Sequence, residues 1–352
     1  MSTYVPNPRV RLPQRPGAPA NVVIRGARIL DPAAGIDREG DLVVRDGVIG
    51  GDPDGLEVVD ATGLTIIPGL VDVHVHLRTP GKEHAEDIAT GTASAAAGGV
   101  VTVLAMPNTQ PPTDSPSILG SLLDRAAREA VVPTGFIPAI TVGQMGDQLT
   151  EHGDLAEAGA AALSDDGVPV ANASVMRRAL QYQKAADLLF TLHEEDMSLS
   201  GTGVMHEGVI SARIGLAGIP GVSEAVQVAR DCSLAAYEDA RIHICHVSAR
   251  ETVEEIRLAK ARGVSVTAEV TPHHLLLTDQ VVGDDPDPAK FKMNPPLRGS
   301  DDREALIEAL IDGTLDCIAT DHAPHPADEK ENPFAAAPFG VIGLETAFAA
   351  CH

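Results

Sequence analysis

Two histidines lie two residues apart near the end of the apolar stretch GLVDVHVHLR. Alternate residues of a strand face the same side, so His74 and His76 would point together. Two neutral imidazoles on one rigid strand make a good half-site for Zn²⁺. Two hydrogen-bonded core histidines are the alternative, and for an isolated pair with this spacing that alternative is the more common. Further candidate ligands in the chain therefore decide between them.

Four more residues with metal-binding side chains occur at the ends of later apolar runs. His193 ends LFTLH, His246 follows in HICHVS, and Asp321 ends CIATD. In LSDDG, strand alternation places Asp166 on the inward face and turns Asp165 away from it. Four histidines and two aspartates are enough for one or two metal ions, and mixed nitrogen and oxygen ligands suit Zn²⁺. A metal site is therefore the favoured interpretation.

The runs that carry these residues belong to a pattern in which apolar runs of strand length alternate with Ala-rich stretches of helical character. The runs are LVDVHVH, VVTVLAMPN, VVPTGFIPAIT, GAAALSDDG, LLFTLHEED, RIHICHVS, VSVTAEVTPHH and DCIATDHAPH, with helical stretches such as 85–97, 116–130, 174–187, 222–239, 250–262 and 301–312 between them. Eight β units, each followed by a helix, predict an α/β fold of the (β/α)₈ TIM-barrel type. A doubly wound open sheet is the alternative, but neither a GxGxxG nor a P-loop motif follows the first strand.

The polar candidates occupy one position in this pattern. Each barrel-type run begins apolar and ends in His, Asp or Asn, and the active site of such barrels lies at the carboxyl ends of the strands. The residues that fall there are His74, His76, Asn108, Asp166, His193, His246 and Asp321. This common location favours an active site over a set of structural histidines.

The chain divides into three segments. Residues 1–20 are rich in Pro and Arg and predict a flexible tail, and residues 21–68 read as short strands of a small, partial β domain. Residues 69–352 carry the barrel pattern. The last stretch, GVIGLETAFAACH, begins a helix and stops, so we expect a barrel truncated after its eighth strand. We also expect a β-sandwich whose C-terminal complement is missing.

Composition limits the function classes. A formal charge of −24 argues against nucleic acid or an anionic membrane as partner. No apolar run approaches the roughly 20 residues of a membrane span, and the N-terminus lacks the apolar core of a secretory signal. The cysteines lack CxxC spacing, which predicts buried thiols in a reducing cytoplasm: Cys232, Cys245, Cys317 and Cys351. An anionic substrate would need a local cationic pocket.

Six motifs together carry a resemblance to a known family. VDVHVHLR, MPNTQPP, SDDG, ICHVS, KMNPPLR and ATDHAPH resemble, in order and with suitable gaps, the class I dihydroorotases of the amidohydrolase superfamily. The resemblance covers about residues 22–350. It implies reversible ring closure between N-carbamoyl-L-aspartate and L-dihydroorotate in pyrimidine synthesis.

The resemblance also implies roles for individual residues. One zinc ion would be held by His74, His76, Asp166 and Asp321, and a second by His193, His246 and the shared Asp166. Asp321 would take a proton from zinc-activated water and deliver it to the leaving nitrogen. The implied substrate contacts are His76, Arg78, Asn108, Asn294, His325, Phe339 and Gly340. The family's pattern does not use His273 and His274, at the end of the seventh run, as ligands, and His322 is expected to support the neighbouring Asp321.

Two other readings stay open. Dihydropyrimidinases, hydantoinases and allantoinases usually carry a carbamylated Lys on the fourth strand, where this sequence has Asp166 and no Lys nearby. A non-catalytic partner subunit of aspartate transcarbamoylase would have lost metal ligands, whereas all six positions are filled here. A homo-oligomer is expected, and aspartate transcarbamoylase is a candidate partner.

Overall fold

Residues 7–352 are described by a computed structural model, and they divide into two units. Residues 7–14 and Val71–His352 form the larger unit, and Arg15–Leu70 form the smaller one. The first six residues of the predicted tail lie outside the described residues. The predicted boundaries at 21–68 and 69–352 stay a prediction.

The smaller unit is built on one five-stranded sheet. Its strands are β1 (Val22–Asp31), β2 (Ile36–Arg45), β3 (Val48–Ile49), β4 (Glu57–Asp60) and β5 (Thr65–Ile66). The order is β3-β2-β1-β4, with β5 also paired to β1. The β-branched runs predicted as strands are therefore confirmed. Val23, Ala27 and Ile29 of β1 are buried and supply its apolar face. A second sheet facing this one, the predicted sandwich, stays a prediction.

The larger unit contains parallel strands at seven of the eight predicted positions. They are β6 (Leu70–Val75), β7 (Val100–Ala105), β8 (Thr134–Phe136), β9 (Phe190–Leu192), β12 (Arg241–Ile244), β13 (Ser265–Val270) and β14 (Cys317–Ile318). One sheet has the order β6-β7-β8 and another has the order β14-β13-β12-β9. A separate short pair consists of β10 (Met205–His206) and β11 (Gly218–Ile219).

The fourth predicted run, residues 159–167, forms no regular strand but links the two sheets. Ala161 donates its amide to Phe136 at 2.9 Å, and Leu163 makes a parallel bridge to Phe190. The chain then turns at Asp165, so the ladder is too short to count as a strand. On the other side, Val75 bridges the segment just after β14. Hydrogen bonds thus connect each predicted strand position to the next.

Helices alternate with these strands as the sequence predicts. The six predicted helices are confirmed within two or three residues as α1 (Ile88–Ala97), α2 (Pro116–Glu129), α4 (Ala173–Ala186), α7 (Val222–Glu238), α8 (Arg250–Ala261) and α11 (Ser300–Asp312). Shorter helices are α3 (His152–Ala158), α5 (Met197–Ser200), α6 (Val209–Ile214), α9 (Pro272–Leu276), α10 (Gln280–Asp284), α12 (Ala327–Lys330) and α13 (Ala347–Cys351). In residues 7–352 no helix has the length and apolar character needed to cross a membrane.

Residues 7–14 differ from the flexible tail predicted over 1–20. The amide of Arg11 donates to the Gly159 carbonyl at 3.2 Å, and the Pro13 carbonyl accepts from the Thr134 amide at 3.0 Å. Arg9 pairs with Glu157 at 2.9 Å. These bonds satisfy backbone groups at the amino end of β8, so the segment behaves as part of the larger unit.

Phe190 tests how much of the stability depends on the link between the two sheets. Its ring is fully buried and meets His152 edge-on at a centroid distance of 5.6 Å. Phe190→Ala leaves a cavity at the bridge to Leu163 and should lower the free energy of unfolding by about 3–5 kcal/mol in urea titrations. Phe348→Ala removes the same atoms from an exposed ring and should cost less than about 1 kcal/mol. Equal losses in the two variants would contradict this assignment.

Candidate active site

The six candidate metal ligands converge at the carboxyl ends of the strands of the larger unit. Asp166 lies at the centre, with its carboxylate 3.4 Å from His74 Nε2, 3.6 Å from His76 Nε2 and 3.7 Å from His246 Nε2. His193 Nδ1 is 4.0 Å from the same carboxylate. Histidines from three separate strand ends therefore surround one carboxylate.

Asp321 closes the other side of this cluster. Its Oδ1 lies 3.0 Å from His76 Nε2 and 3.5 Å from His74 Nε2. Two overlapping sets of side chains have their ligand atoms within 4.8 Å of one another: His74, Asp166 and His246, and His74, His76 and Asp321. This overlap at His74 is compatible with either one or two metal ions.

The first two histidines are oriented from behind by hydrogen bonds. His74 Nδ1 donates to Glu269 Oε1 at 2.7 Å, and His76 Nδ1 donates to Asn108 Oδ1 at 2.8 Å. The Asn108 amide is fixed in turn because its Nδ2 donates to Asp166 at 3.1 Å. When each of these rings is neutral, the lone pair of its Nε2 faces the cluster, which is the tautomer that a metal requires.

The other two histidines approach each other across the cluster. His193 Nδ1 lies 3.0 Å from His246 Nε2. His193 Nε2 faces Glu195 at 3.3 Å, and the backbone amide of His246 donates to Glu269 at 3.2 Å. If both rings are neutral, His193 donates from Nε2 and His246 carries its proton on Nδ1, two lone pairs point at the same space. Such an arrangement repels unless a proton or a metal cation lies there.

The donor set fits a bound cation. His74 Nε2 and Asp166 Oδ1 are buried and have no hydrogen-bond partner among residues 7–352. Burial lowers the pKa of His76 and so favours its neutral form. A neutral ring that donates from Nδ1 to Asn108 leaves the Nε2 lone pair beside two carboxylates. Buried polar atoms in native proteins are normally satisfied. A metal ion would satisfy all of these atoms at once, and nitrogen with oxygen ligands suits Zn²⁺.

The carboxylates of the cluster are held in their ionised form. Burial opposes ionisation of Asp321, but the hydrogen bond from His76 and the charge of His74 lower its pKa to about 2. The same balance, with burial outweighed chiefly by the charge of His74, holds the pKa of Asp166 well below its ordinary value. Both carboxylates are therefore able to bind a cation or accept a proton at neutral pH.

A cavity of about 190 Å³ opens onto this cluster. Its walls include most of the residues predicted to contact substrate or metal: His76, Arg78, Asn108, Asp166, His193, His246, Asn294, Asp321, Phe339 and Gly340. His74 lies beneath it, and His325 lies behind the wall, where its Nε2 contacts the Phe339 carbonyl at 2.8 Å. Gly340 has φ +142°, and a Cβ there would overlap the Ala323 carbonyl oxygen, so this wall requires glycine.

Arg78 supplies positive charge to this cavity without an acidic partner. It is 8% exposed, its Nε donates to the Pro324 carbonyl at 3.1 Å, and its Nη2 is 3.3 Å from His325. Two acids close to it in sequence are engaged elsewhere: Glu83 with Arg125, and Glu86 with His322. Among residues 7–352 the guanidinium thus forms no ion pair, so it can bind an anionic ligand.

Sequence reasoning missed two buried acids that support the histidines. Glu269 lies within the apolar run VTAEV and also accepts from His243 at 3.1 Å. Asp72 lies within LVDVHVH and accepts from the backbone amides of His74 and Thr320 at 3.1 and 3.2 Å. An acidic residue on the inward face of an otherwise apolar strand was the available signal, because such a charge is buried only when it is paired.

The acids beside the candidate ligands have other partners. The Asp165 carboxylate accepts from the backbone amides of Ile140 and Thr141, away from the cluster. Asn294 donates to Glu195 at 2.9 Å, so its side-chain amide contacts the acid that faces His193.

His273 is not part of the candidate site. Its Nε2 is buried without a hydrogen-bond partner among residues 7–352, and the residue does not line the cavity.

Comparisons of the sequence with known proteins agree on one family, and a comparison with solved structures shows the fold. The model for dihydro-orotase-like proteins matches residues 63–252. A dihydroorotase from Anaeromyxobacter dehalogenans is 49% identical over 334 residues, which are 93% of this chain and 77% of that protein. A dihydroorotase from Geobacter sulfurreducens is 49% identical over 332 residues, or 93% of this chain and 78% of that protein. The structure of L-hydantoinase (dihydropyrimidinase) from Arthrobacter aurescens superposes with a TM-score of 0.78 at 24% identity, covering 94% of this chain and 76% of that one.

Glu269 provides a test of the centre that does not depend on activity. Glu269→Gln keeps the shape of the side chain but removes the carboxylate that orients His74, and it should weaken Zn²⁺ affinity about 10–100-fold. Equilibrium dialysis of protein stripped with a chelator, followed by elemental analysis, measures this. Glu304→Gln, on the exposed side of α11, is the matched control and should bind Zn²⁺ like the wild type. Absence of Zn²⁺ binding by the wild type would exclude the centre.

Proposed function

The chain belongs to the dihydroorotase family of cyclic amidohydrolases, and on that premise we propose that its cavity binds L-dihydroorotate and N-carbamoyl-L-aspartate beside a zinc centre. The reaction of the family is reversible ring closure of N-carbamoyl-L-aspartate in pyrimidine synthesis. One observation carries the assignment of this site to that reaction: the buried Arg78 guanidinium, free of acidic partners, opens onto the cavity that contains the candidate ligands. A ring carboxylate is the group that distinguishes dihydroorotate from a plain dihydropyrimidine.

Six residues would hold the zinc, one or two ions per chain. The proposed ligands are His74, His76, Asp166, His193, His246 and Asp321, with Asp166 shared if two ions bind. Bound zinc supplies a Lewis acid that activates water and polarises the amide carbonyl. The orphaned Nε2 of His74 and Oδ1 of Asp166 support this proposal.

Asp321 would move the proton. In ring opening, a water oxygen bonds to the ring amide carbon, and the ionised Asp321 carboxylate accepts the proton that the water loses. The bond between that carbon and the ring nitrogen then breaks, and Asp321 returns the proton to the nitrogen. Ring closure follows the same steps in reverse. Arg78 can make two parallel hydrogen bonds to the substrate carboxylate, and Asn108 adds a neutral donor nearby.

The remaining walls would hold the rest of the ring. Asn294, Phe339 and Gly340 line the cavity together with Arg78 and Asn108. We assign them to the substrate's amide edge and ring face. His325 would act from behind the wall, through its contacts with Arg78 and with the Phe339 carbonyl.

The fold proposed for the larger unit is a closed (β/α)₈ barrel. Both sheets are parallel, and short links at Leu163 and Val75 join their edges. The candidate ligands lie at the carboxyl ends of the strands, which is where barrels of this type place their active sites.

A hydantoinase-like preference for uncharged rings is the second candidate, since structures of that kind share the fold. Asp166 at the centre of the cluster, in place of a lysine, and the unpaired Arg78 both favour dihydroorotate. Assembly into a homo-oligomer, a transcarbamoylase partner and a cytoplasmic location stay predictions from the sequence. All four cysteines are free; Cys232 and Cys245 are buried as predicted and Cys317 is half-buried, but Cys351 near the end of α13 is exposed, so the prediction of a buried thiol is wrong there.

Asp321→Asn tests the proton transfer. The amide keeps the shape of the side chain but cannot accept a proton, so kcat for dihydroorotate should fall about 10²–10⁴-fold, or further if metal is also lost. Zinc content measured on the same sample separates the two causes. Turnover near the wild-type rate with normal zinc content would assign the proton transfer to another residue.

Arg78→Met tests the substrate. Removing the guanidinium leaves a substrate carboxylate unpaired, and kcat/KM for dihydroorotate should fall by about 2–4 kcal/mol, or roughly 30–1000-fold. Zinc content should not change. Turnover of dihydrouracil, which lacks the carboxylate, should be low in the wild type and fall little in the variant. A wild type that prefers dihydrouracil would favour the hydantoinase-like alternative.

A further inference from the structure

Lys330 lies beside the cavity and uses its whole hydrogen-bonding capacity on backbone carbonyls. Its Nζ donates to the carbonyls of Lys292 at 3.1 Å, Pro338 at 3.0 Å and Gly340 at 2.8 Å. An ammonium group has three N–H donors and no acceptor, so all of its donors are engaged. The side chain comes from the end of the short helix α12 and is half-buried.

The three carbonyls belong to two segments that each contribute residues to the cavity wall. Pro338 and Gly340 flank Phe339 on one segment, and Lys292 lies two residues before Asn294 on the other. The amide of Gly340 also donates to the Lys292 carbonyl at 2.9 Å. The Lys292 carbonyl therefore accepts from both partners, and Lys330 ties the segment 338–340 to the segment that leads to Asn294.

A second lysine lies on the same wall. Lys292 is 2% exposed, its Nζ donates to the Ala335 carbonyl at 3.1 Å, and it lies 4.4 Å from the centre of the Phe339 ring. Among residues 7–352 neither Lys292 nor Lys330 forms an ion pair, whereas the nearby Lys290 pairs with Asp285. Burial and the charge of Lys292 lower the pKa of Lys330 to about 8. Placing the Lys330 ammonium beside that of Lys292 costs free energy. A lysine that only anchored α12 to the surface would not need to lie there.

We propose that Lys330 is a positioning residue that clips the Phe339–Gly340 wall onto the Asn294 segment and so sets the affinity for the substrate. This inference rests on the proposed function, because it assumes that the wall contacts the substrate. Lys330 lies behind the wall and does not touch the reacting atoms. Its loss should therefore weaken binding of the ground state and the transition state alike, which raises KM and leaves kcat nearly unchanged.

The kinetic test compares Lys330→Met with Lys290→Met. Lys330→Met keeps most of the apolar side chain and removes the three donors, and we expect KM for dihydroorotate to rise about 10–100-fold while kcat stays within about threefold. Lys290→Met removes the same charge from a neighbouring exposed lysine and should leave both constants unchanged. An unchanged KM in Lys330→Met, or a fall in kcat and melting temperature alone, would overturn the proposal.

Chemical rescue separates the ammonium group from a general effect on folding. Lys330→Cys should share the raised KM, and alkylation with 2-bromoethylamine should restore it by placing an ammonium at the same reach. Wild-type protein treated in the same way controls for the native cysteines. Rescue supports the proposal, and failure of fully alkylated, folded protein to recover contradicts it. If Lys330→Met does not fold, Lys330→Arg, which keeps the charge but cannot donate to three carbonyls in the same geometry, takes its place.

Limited proteolysis distinguishes failure of this inference from failure of the proposed function. Chymotrypsin cleaves after Phe334 and Phe339, and without substrate the released wall of Lys330→Met should be cut at least about fivefold faster than in Lys290→Met. If the wild type does not turn over dihydroorotate, the proposed function fails. The ratio of cleavage rates still tests whether Lys330 holds the Phe339–Gly340 wall on the Asn294 segment. Equal cleavage rates would show that Lys330 does not hold the wall.

Discussion

Buried negative charge is the constraint on which the candidate centre depends. Asp166, Asp321 and Glu269 are at most 7% exposed and lie within one cluster at the strand ends. An unpaired carboxylate in such a place costs several kcal/mol. The histidines around these carboxylates offset part of that cost by becoming protonated or by donating hydrogen bonds from their N–H groups. The orphaned atoms that remain are those that a cation would satisfy, so the geometry of the ring of histidines follows from the acids at its centre.

The same constraint explains why an acidic protein can bind an acidic substrate. The net charge of −24 is spread over a surface where salt screens interactions beyond about 8 Å. Inside the cavity the local balance differs, because Arg78, Lys292 and Lys330 lie at or behind its walls without acidic partners. The electrostatic potential inside the cavity is therefore set mainly by these few buried groups, and the overall charge of the protein has little influence on it.

Sequence reasoning reached the elements and the candidate ligands more easily than the groups that support them. The long helices and most strands have strong periodicity, and His74 with His76 stand out in a run where polar residues are rare. The short fourth strand was overestimated because its apolar run continues into a turn that the pattern does not mark. Glu269 and Lys330 were missed for another reason. Their roles depend on partners distant in sequence, such as His74 for Glu269 and Gly340 as part of a loop for Lys330, and no local pattern encodes such pairings.

The hydrogen bond between His76 and Asp321 joins residues 245 positions apart. Forming a contact of such separation has an entropic cost, because a long loop must close before the contact contributes. The half-site on β6 is local in sequence, whereas the complete ligand set exists only when β14 has docked beside β6. A metal ion that binds the folded chain and not the unfolded one then stabilises the last step of assembly by mass action. Metal binding at the centre would thus stabilise the fully folded chain, and the fraction of protein with bound metal would measure how much of the chain has completed folding.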